Sequence, residues 1–236
     1  MNPVKERPIL FSAPMVRAIL EGRKTVTRRV TKVQPRSKAD IGSYGLGQPF
    51  IRNPDVTRSN PECPYGRPGD RLWVRETWED VHPAQVTDGR YSQAGRAGIP
   101  GPPSVTYQTI YRADGPYPKV FYTHQHPYRS LEPDSDHGFK GPADNGYTGW
   151  TPSTHMPRWA SRILLEITDV RVERLQDISE EQAEAEGVGF LRAAPDFDET
   201  LTAKQLFEIL WDHINGEGAW TVNPWVWVVE FKRVTP

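Results

Sequence analysis

The 236-residue chain is 36% hydrophobic with a formal net charge of -1, which is enough apolar material for a sizeable core. A single cysteine, Cys63, excludes an intramolecular disulfide framework and a Cys-rich zinc site. No stretch approaches the ~18 apolar residues of a membrane span, and Met1 to Phe11 lack the apolar core of a secretion signal, so a cytoplasmic, β-rich globular protein with no membrane partner is expected.

Ile9-Leu10-Phe11 predicts a short strand. Pro14 suits the first turn of a helix that buries Met15, Ala18, Ile19 and Leu20 and stops at Gly22. The β-branched run from Lys24 to Val33 predicts a strand. In a regular strand Lys24 and Thr27 point to opposite faces, so a turn or bulge must lie between Gly22 and Thr27 if the two act together. Residues 34 to 68, rich in Pro, Gly, Ser and Asn, read as loop, and Gly69-Asp70 turns into a strand from Arg71 to Trp78 whose mixed polar and apolar groups suit a pocket wall.

Residues 80 to 157 read as a loop-rich elaboration, with strand character only at 105–112 and 119–122, too little for a core of its own. Past Arg162, Ile163, Leu165 and Ile167 share one strand face. Ser179 with Gln182 forms a capping box, Ile178 and Ala183 a staple, and the helix they open should stop at Gly187. A second helix, about 202 to 214, carries Leu206, Phe207, Leu210, Trp211 and Ile214 on its buried side and closes at Gly216. The last strand places Trp225, Trp227, Val229 and Phe231 on one face, and no internal repeat is visible.

Charge is unevenly spread. Residues 1 to 40 hold ten Lys and Arg against three acids, whereas residues 176 to 212 hold ten acids against Arg192 and Lys204. Such a basic stretch can hold a phosphate or a nucleic-acid backbone, or the two segments can neutralise each other across the fold.

Three groups of residues bear on chemistry. His124, His126 and His137 lack an acid or cysteine at a compelling ligand spacing, so no metal is expected, and there is neither a Walker loop nor a dinucleotide fingerprint. Lys24 and Thr27 can form a base and nucleophile if burial or the charges of Arg23, Arg28 and Arg29 lower the lysine pKa; alternatively they are a solvated lysine and a threonine chosen for β-propensity. Glu186 ends an acid-rich helix at the negative end of its dipole, an unfavourable place for a carboxylate, although a surface acid reads the same way.

Taken together, Ile19-Leu20-Glu21-Gly22-Arg23-Lys24-Thr25-Val26-Thr27, Gly69-Asp70 before a strand, Leu175 to Gly187 with Ala183-Glu184-Ala185-Glu186-Gly187, and the closing strand from Val226 to Lys232 resemble the ASCH family. The resemblance covers about half the chain, roughly residues 7 to 33, 66 to 79 and 160 to 234. Arg71 to Trp78 and His155 to Arg162 are similar to the large ASCH proteins of phages and prophages. It implies an α+β fold, a single domain over 1–236 built on a small PUA-like β-barrel with flanking helices and an elaboration at about 80–157. It also implies a metal-independent, cofactor-free amidohydrolase that removes an acyl group from the exocyclic N4 of cytosine or cytidine, as the small N4-acetylcytidine amidohydrolases of the family do. The family's lysine, threonine and glutamate fall on Lys24, Thr27 and Glu186. Arg29 is then placed to stabilise an oxyanion or contact the base, and Arg75, Glu76 and Trp159 to line the pocket. The long middle region departs from the small enzymes, which keeps open an RNA, DNA or modified-base binding module and a ribonuclease.

Overall fold

The computed structural model describes residues 3–81, 108–115, 121–123, 129–130, 139–140, 150–193 and 200–234. His124, His126 and His137 lie outside the described residues. In chain order the main elements are β1 (Glu6–Leu10), α1 (Ala13–Leu20), β2 (Val26–Val30), β3 (Ile41–Ser43), β4 (Pro49–Ile51), β5 (Arg71–Arg75), β6 (Trp78–Val81) and β7 (Gln108–Tyr111). They continue with β8 (Phe121–Thr123), β9 (Arg129–Ser130), β10 (Phe139–Lys140), β11 (Leu164–Arg174), α2 (Glu180–Ala185), α3 (Ala203–Asn215) and β12 (Trp225–Val234). The fold is mixed α+β with a mostly sheet core.

The chain divides into two compact units. The first takes in residues 1–9, 14–74 and 161–236, and the second residues 10–13 and 75–160. The first is organised by a five-stranded sheet in the order β1-β5-β11-β12-β2. Its edges, β1 and β2, are not hydrogen-bonded to each other among the described residues, so the sheet is described as open. At its centre β11 and β12 run antiparallel, with a bulge between Ile167 and Asp169. Trp225 to Val229 are all buried, so both faces of β12 are covered there, not the single face that alternation predicted. A run of five apolar residues carries no period-2 signal, which is why the second face was missed.

Other elements follow their local chemistry. In α1 the buried residues are Met15, Val16, Ala18 and Ile19, so Val16 takes the place expected of Leu20, which is half-buried. Capping boxes at Ser179 and Thr202 open α2 and α3. Ile214, expected on the buried side of α3, is 61% exposed, because the buried stripe ends at Trp211 one turn earlier. Residues 34 to 68 are not wholly loop: β3 and β4 pair in a hairpin turned through Gly45, Leu46 and Gly47, all at positive φ. Three-residue strands are too short for a periodic signal.

Asp70 ties the start of the chain to the sheet. Its carboxylate accepts from the Lys5 N–H (3.0 Å), from Arg7 Nη1 (3.1 Å) and from the Arg67 N–H (3.3 Å). Burial alone would push its pKa up, but these donors hold it below the usual carboxylate value. Asp70→Asn is expected to cost about 1–2 kcal/mol at neutral pH in a denaturant melt. A depressed carboxyl stabilises the fold above its ordinary pKa and loses that contribution as pH falls through the folded value. The gap between wild type and Asp70→Asn should therefore close below about pH 4.

The strand expected from Arg71 to Trp78 is interrupted: β5 ends at Arg75, and β6, in the second unit, begins at Trp78 and pairs with β7. Trp78, Met156 and Ala160 form a buried cluster with Tyr111 packed against it; Met156 and Tyr111 come from the stretch read as loop-rich, and Trp78 and Ala160 from its flanks. Tyr111 donates its hydroxyl to the Ala160 carbonyl at 2.9 Å, and Thr151 donates to the buried Glu79 at 2.8 Å. No helix among the described residues is long and apolar enough to cross a membrane.

Candidate active site: a buried lysine, glutamate and arginine

The turn after α1 delivers Lys24. Gly22, at φ +75°, donates to the Ile19 carbonyl, and the Arg23 N–H reaches back to Ala18, the paired bonds of a Schellman closure. Lys24 N–H shares that Ala18 carbonyl at 3.0 Å, and Thr25 N–H bonds the Ala185 carbonyl at 2.9 Å. The chain has thus turned before β2 starts at Val26, and the break required between Gly22 and Thr27 is present.

Helix α2 delivers Glu186. Its backbone N–H closes the helix on Gln182 and Ala183, and Gly187 leaves it at φ +81°. A Cβ on Gly187 would stand 2.9 Å from the Ala18 Cβ and 3.0 Å from the Lys24 Cβ, so only glycine permits this approach. Gly187→Ala is expected to cost about 2–4 kcal/mol, from the left-handed backbone and the forced contact together, as read from a thermal or denaturant melt.

Lys24 and Glu186 then meet in the interior. The lysine Nζ donates at 2.8 Å to three acceptors: the Glu186 Oε2, the Glu186 carbonyl and the Val26 carbonyl. Three acceptors describe an ammonium, and one of them is a carbonyl that the end of α2 would otherwise leave unsatisfied. The other carboxylate oxygen, Oε1, accepts from Arg28 Nη1 at 3.2 Å. Arg28 Nη2 in turn donates to Gln182 Oε1 at 2.7 Å and faces Glu173 Oε2 at 3.5 Å. Lys24, Arg28 and Glu186 are all at most 4% exposed.

Burial pushes the Lys24 pKa down from the ordinary lysine value; the Glu186 carboxylate pushes it back up, the charges of Arg29 and Arg28 push it down again, and the net direction is down. Of the basic residues expected to do this, Arg23 is instead exposed and paired with Glu21. Among the described residues the opposed charges of the two segments meet at this buried point.

Thr27 is buried on β2, opposite Val229, and its hydroxyl makes no hydrogen bond among the described residues. Lys24 Nζ lies against the peptide that joins Val26 to Thr27, since it bonds the Val26 carbonyl. Arg29 is half-buried, two residues along the strand and on the Thr27 side of its alternation.

The remaining expected residues belong to the second unit. Arg75 Nε donates to the Met156 carbonyl at 3.0 Å, and the Glu76 N–H is 3.3 Å from the Met156 sulfur, with the Glu76 side chain buried. Trp159 is 50% exposed and stands edge-on to Trp78, with ring centroids 5.3 Å apart. These three therefore gather around Met156 and Trp78.

Sequence reasoning missed Arg28 as a direct partner of Glu186, and with it Gln182 and Glu173. The available signal was Gln182, which serves both the capping box and the arginine. Among the described residues no group of three or more His, Cys, Asp or Glu is arranged to hold a metal ion. No protein-family model, no curated protein and no solved structure matches the chain.

Proposed function

We propose that the protein is a metal-independent amidohydrolase that removes an acyl group from the exocyclic N4 of a cytosine base or nucleoside, working in the cytoplasm. In this reading the open five-stranded sheet is the described part of a PUA-like barrel of the ASCH type. The observation that supports it is the buried Lys24–Glu186 pair at 2.8 Å, joining residues 162 positions apart. Buried charges with a depressed lysine pKa concentrate where chemistry needs them. The resemblance noted from the sequence supplies the substrate class.

The reaction assigns each residue a task. Neutral Lys24 takes the proton of the Thr27 hydroxyl as the oxygen attacks the acyl carbon. The C–N4 bond then breaks, the Lys24 ammonium, oriented by Glu186, returns its proton to N4, and the free cytosine amine departs, leaving an ester on Thr27. Water, deprotonated in the same way, hydrolyses the ester to the carboxylic acid and restores Thr27. Arg29 stabilises the oxyanion. A neutral amine has two N–H groups and one lone pair, so Lys24 must release one of its three present acceptors to act as the base.

That fully occupied lysine favours a second reading, in which the cluster is structural and the protein is a reader of RNA, DNA or a modified base. Incubation with N4-acetylcytidine, without added metal, and chromatography of the product separates the two. Cytidine release by wild type, absent from Thr27→Ala and Lys24→Ala, supports the enzyme. Salt-dependent binding to nucleic acid with no release at high protein concentration supports the reader.

A further inference from the structure

The Arg28 side chain is fully buried beside those of Lys24 and Glu186. Its Nη1 takes Glu186 Oε1, and its Nη2 takes Gln182 Oε1 and approaches Glu173 Oε2. Its Nε is buried without a hydrogen bond among the described residues, so the orientation of the guanidinium is set by these three acceptors alone. The consequence for Glu186 is a divided carboxylate, one oxygen to Arg28 and one to Lys24. Without the arginine, Oε1 would be a buried acceptor without this donor, and the carboxylate would be free to rotate about its terminal torsion.

We propose that Arg28 is a positioning residue, which orients Glu186 so that a single carboxylate oxygen meets Lys24. The inference rests on the amidohydrolase reading for its effect on turnover, but not for its effect on Lys24. Among the charged groups facing Lys24 are Glu186 at the end of α2 and Arg28 and Arg29 on β2; Glu173 on β11 faces Arg28. Removing the Arg28 charge takes away one repulsion and leaves Glu186 wholly to the lysine, so Lys24 must hold its proton to higher pH.

The test follows the Lys24 Cε resonance with pH in protein carrying 13C-lysine, beside the pH profile of kcat/KM on N4-acetylcytidine. Arg28→Gln should move the Lys24 titration, and with it the acid limb of the profile, up by roughly one pH unit, the scale of one charge a few ångströms away. Arg28→Lys, which keeps the charge and loses the fork, should return the titration close to wild type while kcat stays lowered roughly tenfold or more. A folded Arg28→Gln protein with an unmoved Lys24 titration overturns the proposal. Should Arg28→Gln fail to fold, an Arg28→Lys protein with wild-type kcat overturns it as well. If wild type releases no cytidine, the amidohydrolase reading fails, and the titration arm alone decides the role of Arg28.

Discussion

Glu186→Leu is expected to destabilise the fold by about 3–5 kcal/mol, and Lys24→Met by only about 1–2 kcal/mol, in denaturant melts near neutral pH. The inequality comes from the arithmetic of the cluster. Glu186 is the one buried anion shared by two buried cations, Lys24 and Arg28. Removing it takes the shared carboxylate from two charges in the interior, and the partly exposed Glu173 stands beside Arg28 alone of the two. Removing Lys24 leaves Glu186 paired with Arg28, and methionine refills most of the volume. Equal losses for the two variants would mean that Arg28 does not compensate Glu186.

The same cluster sets a pH dependence. Lys24 has a folded pKa below its unfolded value, so between the two the unfolded chain binds more protons and stability from this group rises with pH. The contribution is fully present only above the unfolded value and is lost as pH falls through the folded one. Wild type should therefore gain on Lys24→Met as pH climbs toward about 10. The penalty of Glu186→Leu should shrink over the same range, because its unpaired lysine can shed the proton.

Under the proposed amidohydrolase reaction, Thr27→Ala and Lys24→Met are expected to lower cytidine release from N4-acetylcytidine at least ~10³-fold, with the fold retained. Removing either the nucleophile or its base stops the same step, so the double variant should be no worse than either single one. Thr27→Ser keeps a hydroxyl and should keep measurable release. In wild type the rate should rise with pH through the depressed Lys24 pKa, since only the neutral amine accepts the Thr27 proton. Release that survives Thr27→Ala would assign the attacking oxygen to water instead.

Much of the frame was legible in the residues. Gly22 and Gly187 were expected to end helices, and both stand at positive φ where a side chain is disfavoured. Ser179 with Gln182 predicted a capping box that is present, and the turn needed between Gly22 and Thr27 exists. Local rules succeeded there because capping and left-handed turns depend on a few adjacent residues. They failed where partners are distant: the β3–β4 hairpin, the covered second face of β12 and the exposure of Ile214 each depend on what packs against them.

The sequence by itself determined the α+β class, the helix ends and the residue types at positions 24, 27 and 186, because each is written in neighbouring side chains or in a short motif. Only the tertiary structure decided that Lys24 and Glu186 meet, that Arg28 rather than Arg23 joins them, and that Arg75, Glu76 and Trp159 gather around Met156. The physical reason is range. An ion pair between residues 162 positions apart costs nothing in local propensity and leaves no periodic trace, yet burial makes the loss of its shared anion costly.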